Sequence, residues 1–215
     1  IHNCGIGAVC VESRPHPDFC GDKWWQDMDV ILDEARKHDM KVWILDDSHF
    51  PTGYANGALE NAPEELCRQG ICYKGKRIKG GRKVSLSSEK FLNRKNNKMS
   101  IFDVLASVGK KKRVFSKDTI LSVTAVNVSN SGIQESVDLT SMIIDGKLHW
   151  NAPEGEWQIG MCKLSGNCGA HRNYINMMNP DSCRILLDAV YEPHYTHYRE
   201  EFGKTIAGFF SDEPE

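Results

Sequence analysis

The sequence predicts an α/β protein interrupted by an all-β insertion, its parallel strands arranged as a barrel or a doubly wound sheet. Three observations predict it. Val42-Trp43-Ile44-Leu45 is an apolar run that stops at two carboxylates, Asp46 and Asp47, before a polar loop rich in Pro and Gly. A buried parallel strand that delivers acids to the carboxyl edge of a sheet reads this way. The pattern recurs at the far end, where Ile206-Ala207-Gly208-Phe209-Phe210 runs into Ser211-Asp212-Glu213-Pro214-Glu215. Between the two, helical periodicity gives way to short alternating runs, the mark of antiparallel strands.

Residues 1–66 hold the first βα units. Gly7 to Val11 is a short apolar run, broken by Glu12-Ser13-Arg14-Pro15-His16-Pro17. Residues 22–38 read as an amphipathic helix, because Trp24, Met28, Ile31, Leu32 and Ala35 recur at helical spacing. Asp22 is placed as its N-cap, and Arg36, Lys37 and His38 sit at its negative end. With the strand at 42–45 this makes one right-handed βαβ unit.

Residues 67–165 form the insertion. Leu121 to Val128 alternates, and Ile143 to Trp150 reads as a hairpin turning at Asp145-Gly146. A turn over 151–156 then leads into Trp157-Gln158-Ile159-Gly160-Met161. Basic residues cluster at 74–83, 94–98 and 110–113 and read as solvated loops. No aromatic residues interleave the 110–113 run, so a nucleic-acid partner is not expected.

Residues 166–215 return to a helix-strand unit. A helix runs from Pro180 through Phe202, with Leu186, Leu187, Val190, Tyr191 and Tyr198 on one side. Asn179 or Asp181 caps its start, Pro193 kinks or splits it, and Gly203 ends it.

Composition sets the outer limits. At 215 residues, 40% hydrophobic and 26% charged, the chain fits a soluble globular protein. A net charge of −2 gives no general attraction to nucleic acid or anionic membranes. No apolar run reaches the length of a membrane span. The eight cysteines include no CxxC pair, so a structural zinc site is not expected. Cys10 and Cys183 read as small buried hydrophobes. A chain of this size does not need disulfides for its core, so reduced thiols and a cytoplasmic setting are expected. The lack of an initiator Met or signal peptide points to a piece of a longer chain.

Both acid pairs fall at carboxyl ends of strands, where parallel α/β folds place their active sites. Glu213 is the sharper candidate. An acid just past a buried strand lies in a low-dielectric cleft, which raises its pKa toward that of a neutral-pH proton donor. Pro214 stiffens the turn, and Asp212 would hold the site open. Alternatively the pair caps a following helix with Pro214 at its first position. Asp46 and Asp47 are adjacent and point apart, so at most one faces a ligand; the plainer reading is a turn cap beside Pro51-Thr52-Gly53. His49, Tyr54 and Asn56 suit sugar hydroxyls, or are ordinary loop residues. Arg14 and His16 end the first strand and would share the cleft, Arg14 binding a carboxylate or phosphate or serving structure alone. His171 and Arg172 stand where the insertion returns, and reach the cleft or stay exposed. No Gly-rich phosphate motif follows a strand and no GxSxG elbow is present. No spacing among Asp46, Asp47 and Glu213 singles out a metal.

Residues 24–57, WWQDMDVILDEARKHDMKVWILDDSHFPTGYANG, resemble the opening strands of glycoside hydrolases similar to the α-L-rhamnosidases of family 106, with Pro51-Thr52-Gly53 in place of their Pro-Ser-Gly-like loop. Residues 138–160, DLTSMIIDGKLHWNAPEGEWQIG, resemble the β-insertion of those proteins, and FFSDEPE at 209–215 resembles a later strand carrying an acid. The resemblance implies a partial TIM-type (β/α)₈ barrel with an inserted all-β module, cleaving plant- or glycan-derived oligosaccharides. It implies Glu213 as general acid and Asp47 as a second cleft carboxylate, where relatives often carry Glu; a shorter side chain suits binding or metal ligation equally. Substrate contacts would come from Arg14, His16, Asp46, His49, Tyr54, His171, Arg172 and Asp212. No organic cofactor is implied, and Ca²⁺ is the metal ion to consider. The remainder of the barrel, or self-association, would cover the open strand edges, and residues 1–215 alone would be inactive. The alternative is a non-catalytic carbohydrate-binding protein on the same scaffold, since the partner acid is not identified.

Overall fold

The computed structural model describes residues 1–14, 16–92, 113–129, 132–169 and 171–214. They fall into two compact units, Ile1–Arg68 with Asn173–Glu215, and Gln69–Arg172. Pro15, Glu215, the basic cluster at 94–98 and residues 110–112 lie outside the described residues.

The first unit is built on three parallel strands, β1 (Ala8–Val11), β2 (Lys41–Leu45) and β10 (Ile206–Phe210), in the order β1-β2-β10. Helix α1 (Asp22–Lys37) joins β1 to β2 and buries Trp24, Met28, Leu32 and Ala35, four of the five residues of the predicted stripe, while Ile31 is half-buried. Its N-cap is Gly21 rather than Asp22. Asp18 accepts from the Lys23 N–H at 3.0 Å, so a side chain outside the helix satisfies one of the orphan donors of its first turn. On the return, Asn179 caps α3 (Pro180–Leu186) by accepting from Asp181 N–H at 3.0 Å, with Pro180 at the first helical position. A π-helical turn, Leu187–Tyr191, separates α3 from α4 (Glu192–Tyr198). Pro193 lies at the start of α4, and its ring would clash with the carbonyl of Ala189 in a regular helix. The widened turn ahead of it removes that clash.

No barrel is closed. The partial TIM-type barrel implied by the resemblance is replaced by an open three-stranded parallel sheet in the first unit and two antiparallel sheets in the second. Closing a barrel requires enough tilted strands to return the sheet on itself, and three do not suffice. Most of the strands instead form antiparallel pairs within residues 70–165.

The second unit contains β3 (Gly70–Lys79), β4 (Arg82–Ser87), α2 (Ser88–Leu92), β5 (Asp118–Ser129), β6 (Gly132–Asp138), β7 (Ile143–Ile144), β8 (Lys147–Ala152) and β9 (Glu156–Ser165). Its sheets, β3-β9-β5-β6 and β4-β8-β7, enclose one core in which Val84, Leu148 and Trp150 join Val123, Trp157, Ile159 and Met161. Trp150 and Trp157 meet edge to face at 5.1 Å, the arrangement their ring quadrupoles favour. The hairpin at Asp145-Gly146 has positive φ at both central residues, 49° and 70°, as a type I′ turn demands.

Three expectations are overturned by the structure. The 74–83 cluster is not a loop but the end of β3, a Gly80-Gly81 turn and the start of β4, because alternate side chains of a strand reach solvent while the backbone of β3 pairs with β9 and that of β4 with β8. Cys10 is exposed on edge strand β1 and Cys183 is half-buried, so neither serves as a core residue. Cys72 and Cys168 are joined as a disulfide, their Cα atoms 6.2 Å apart, where reduced thiols were expected. The remaining six cysteines are thiols. Denatured without reductant, the protein should therefore take up iodoacetamide at six cysteines by intact mass; labelling at all eight would show that the bridge does not form.

Candidate functional site

The three parallel strands end at one edge of their sheet. β1 leads to Ser13 and Arg14, β2 to Asp46 and Asp47, and β10 to Ser211, Asp212 and Glu213. Asp46 and Asp47 are both completely buried. Asp46 accepts three hydroxyl hydrogen bonds, from Thr52 Oγ1 at 2.6 Å, Tyr191 Oη at 2.6 Å and Ser211 Oγ at 2.7 Å. Burial, reinforced by this carboxylate, pushes the Tyr191 phenol above its ordinary range, so Tyr191 donates to Asp46 and does not exchange protons near neutrality.

Asp47 organises the loop that follows it. Its carboxylate accepts from the backbone N–H groups of Gly53 at 2.9 Å, Ala55 at 2.8 Å and Asn56 at 3.0 Å. Ala55 and Asn56 hold left-handed backbone, φ 52° and 51°, which turns successive N–H groups toward one anion. Gly53 is required: its φ is 138°, and a Cβ there would lie 2.2 Å from the Tyr174 ring. Tyr174 in turn donates its hydroxyl to the Thr52 carbonyl, and Ser13 donates to the Asp47 carbonyl. The Phe50–Pro51 peptide is cis. The protein thus supplies its own partners to every oxygen of this acid pair.

Asp212 and Glu213 are placed differently. Thr52 clamps the exit of β10: its N–H donates to the Asp212 carbonyl and its Oγ1 accepts from the Asp212 N–H, both at 2.9 Å. Because the same Oγ1 donates to Asp46, the buried acid fixes the position of the outer pair. Asp212 accepts from Arg14 Nη2 at 2.9 Å. Arg14 also grips Glu12, Nε to Oε1 at 2.6 Å, and this hydrogen bond holds Glu12 below the usual carboxylate range. The Arg14 guanidinium lies 5.4 Å from the Phe50 ring centre, and Phe50 is 53% exposed. Glu213 follows Asp212 with φ 46° and is exposed, so it is not enclosed in the low-dielectric cleft expected of it: the chain leaves the buried part of β10 before reaching this residue. Left-handed backbone costs a residue other than glycine about 1 kcal/mol or more, and such residues gather at functional sites.

The other candidates divide. His49 is exposed, bonded to Ser48 Oγ at 3.0 Å, and its ring lies 5.3 Å from that of Tyr54. Tyr54 packs edge to face on Tyr174. His16 is turned onto α1: Nδ1 accepts from Asp18 N–H, so Nε2 donates to Asp27 at 3.2 Å. His171 and Arg172 belong to the second unit, where Arg172 donates to the carbonyls of Arg113 at 2.7 Å and Asn167 at 3.2 Å. Sequence reasoning missed Thr52, Phe50 and Tyr191. The Pro-Thr-Gly loop pointed at the first, while nothing local marked Tyr191, 145 residues from its carboxylate.

Among the described residues no group of three or more His, Cys, Asp or Glu is arranged to hold a metal ion, and no helix is long and apolar enough to cross a membrane. Comparison with protein-family models, curated proteins and solved structures finds no match to this chain.

Proposed function

We propose that the carboxyl edge of the parallel sheet is the sugar-processing site of a glycoside hydrolase, with Glu213 as proton donor. One observation carries the reading: of the acids at that edge, Asp46 and Asp47 are sealed in hydrogen bonds, while Glu213 stands exposed in left-handed backbone directly after Asp212, whose Arg14 partner lies against the exposed Phe50 ring. An aromatic face and charged hydrogen-bonding groups together suit a sugar, whose C–H face packs on a ring while its hydroxyls are bonded from the side. In glycoside hydrolysis an acid protonates the departing glycosidic oxygen as water adds at the anomeric carbon, and a second carboxylate takes up the water's proton or forms a covalent intermediate. Glu213 fits the first role; Asp212, tethered by Arg14, orients and balances charge.

In the full-length protein, against a panel of aryl glycosides and oligosaccharides, Glu213→Gln should lower turnover by about 10²–10⁴-fold while leaving the unfolding midpoint unchanged. Retained turnover would remove Glu213 from the chemistry. The commitment of Asp47 to three backbone donors favours a second reading, a carbohydrate-binding protein that cleaves nothing. That reading expects sugar binding without release from any member of the panel.

A further inference from the structure

We propose that the outer face of the β3-β9-β5-β6 sheet is a separate carbohydrate-binding site, with Tyr73 as its platform. Directly paired residues of antiparallel strands share a face. Tyr73 opposite Cys162 and Gly75 opposite Gly160 therefore stand on the face away from the core, which takes Ile78, Ile159 and Met161. Tyr73 is 57% exposed. Its ring lies over the two glycines: a Cβ on Gly160 would come within 2.8 Å of Cε2, and one on Gly75 within 2.9 Å of the hydroxyl oxygen.

Neither glycine is demanded by its own backbone, since neither has the positive φ that favours glycine. Glycine within a strand weakens it, by roughly 0.5–1 kcal/mol in the general case. Two glycines opposite one another, both under the same ring, make a bed on which that ring rests with one face covered and the other open. Gln158 Nε2 donates to the Tyr73 hydroxyl at 3.4 Å and steadies its outer edge. In register beside the bed, Thr124 pairs with Gly160 and Ser122 with Cys162, which places hydroxyls on the same face.

A flat ring with one open face, bordered by amide and hydroxyl groups, matches a pyranose. The sugar's C–H face packs on the ring, and its hydroxyls reach the bordering donors and acceptors. Arg77, two residues beyond Gly75 on the same face and opposite Gln158, adds a charged hydrogen-bond donor to that border. The site is independent of Glu213 and of the first unit.

The test is native affinity electrophoresis of the full chain through gels containing laminarin, xyloglucan, galactomannan, arabinoxylan or dextran. Retardation is expected in at least one of them. Tyr73→Ala should weaken that binding tenfold or more, and Gly160→Val should do the same by lifting a ring that is still present. Tyr73→Phe should stay within threefold of the parent. Far-UV circular dichroism and the thermal midpoint establish that each variant is folded; the exposed position of Tyr73 leaves no cavity on truncation. Absence of retardation in all five gels, or retardation indifferent to both Tyr73→Ala and Gly160→Val, overturns the proposal. A Tyr73→Ala protein that binds glycan normally but changes oligomeric mass would assign the face to self-association instead. Hydrolysis is not read, so the result stands whether or not Glu213 is a proton donor.

Discussion

Asp47→Ala should destabilise the protein by about 3–5 kcal/mol, because it orphans three backbone donors at once, two buried and one part-buried. Each unpaired buried donor costs about 1–3 kcal/mol, and the carboxylate has no exposure through which water could replace it. The left-handed backbone at Ala55 and Asn56 adds to the loss, since these hydrogen bonds help to offset its strain. Asp47→Asn keeps one acceptor oxygen but turns an amide N–H₂ toward donors, so its cost should fall between the parent and alanine. Urea unfolding followed by tryptophan fluorescence gives both values. Glu213→Gln, exposed, should lie within about 0.5 kcal/mol of the parent in the same experiment. An Asp47→Ala protein that unfolds at the parent's midpoint, yet has lost turnover, would make Asp47 a reacting group and end its assignment as the loop's internal anion.

That contrast marks how far the sequence could be read. What depends on local periodicity was legible: the buried stripe of α1, the Asp145-Gly146 hairpin, the split at Pro193, and the apolar strands ending in acids. What depends on partners distant in the chain was not. Nothing in Val42 to Leu45 reveals that β10, some 160 residues later, pairs with it, or that the sheet stops at three strands. An acid at a strand end reads as reactive because its position can be inferred, whereas the N–H groups that fold back onto Asp47 cannot. The 74–83 cluster misled for a different reason. Its charge count hid an alternation in which Lys74, Lys76 and Ile78 share one face of β3 while Tyr73, Gly75 and Arg77 share the other. The glycines under Tyr73 are 85 residues apart, so only the paired strands bring them to one ring.

The same argument from buried partners gives the protein a pH dependence on its acid side. His194 is fully buried, and its Nδ1 lies 2.6 Å from the Val190 carbonyl. A carbonyl only accepts, so Nδ1 carries the hydrogen; Nε2 is then bare and accepts from the Trp24 indole N–H at 2.8 Å. This is a neutral imidazole with both nitrogens satisfied, and a second proton would face the indole donor. Burial is the main cause that lowers its pKa to about 4, with nearby His197 acting in the same direction. Cys20, the other titratable neighbour, lies 4.0 Å away, and burial pushes its thiol up to about 12, so it stays uncharged in this range. Between about pH 6.5 and 4 the unfolded chain holds a proton on this residue and the folded chain does not. Stability from this site is therefore complete above the unfolded value and falls as the pH drops through that window. Going from pH 7.5 to 5.0 should cost about 2 kcal/mol from His194 alone. His194→Gln should be less stable at pH 7.5 but lose less on acidification, and the difference between the two pH dependences isolates the histidine. Trp25, whose ring centre is 5.0 Å from that of His194, makes the unfolding visible by fluorescence. Parallel pH dependences in the parent and His194→Gln would mean that the imidazole is protonated inside the fold, and that the indole contact is not the hydrogen bond its geometry describes.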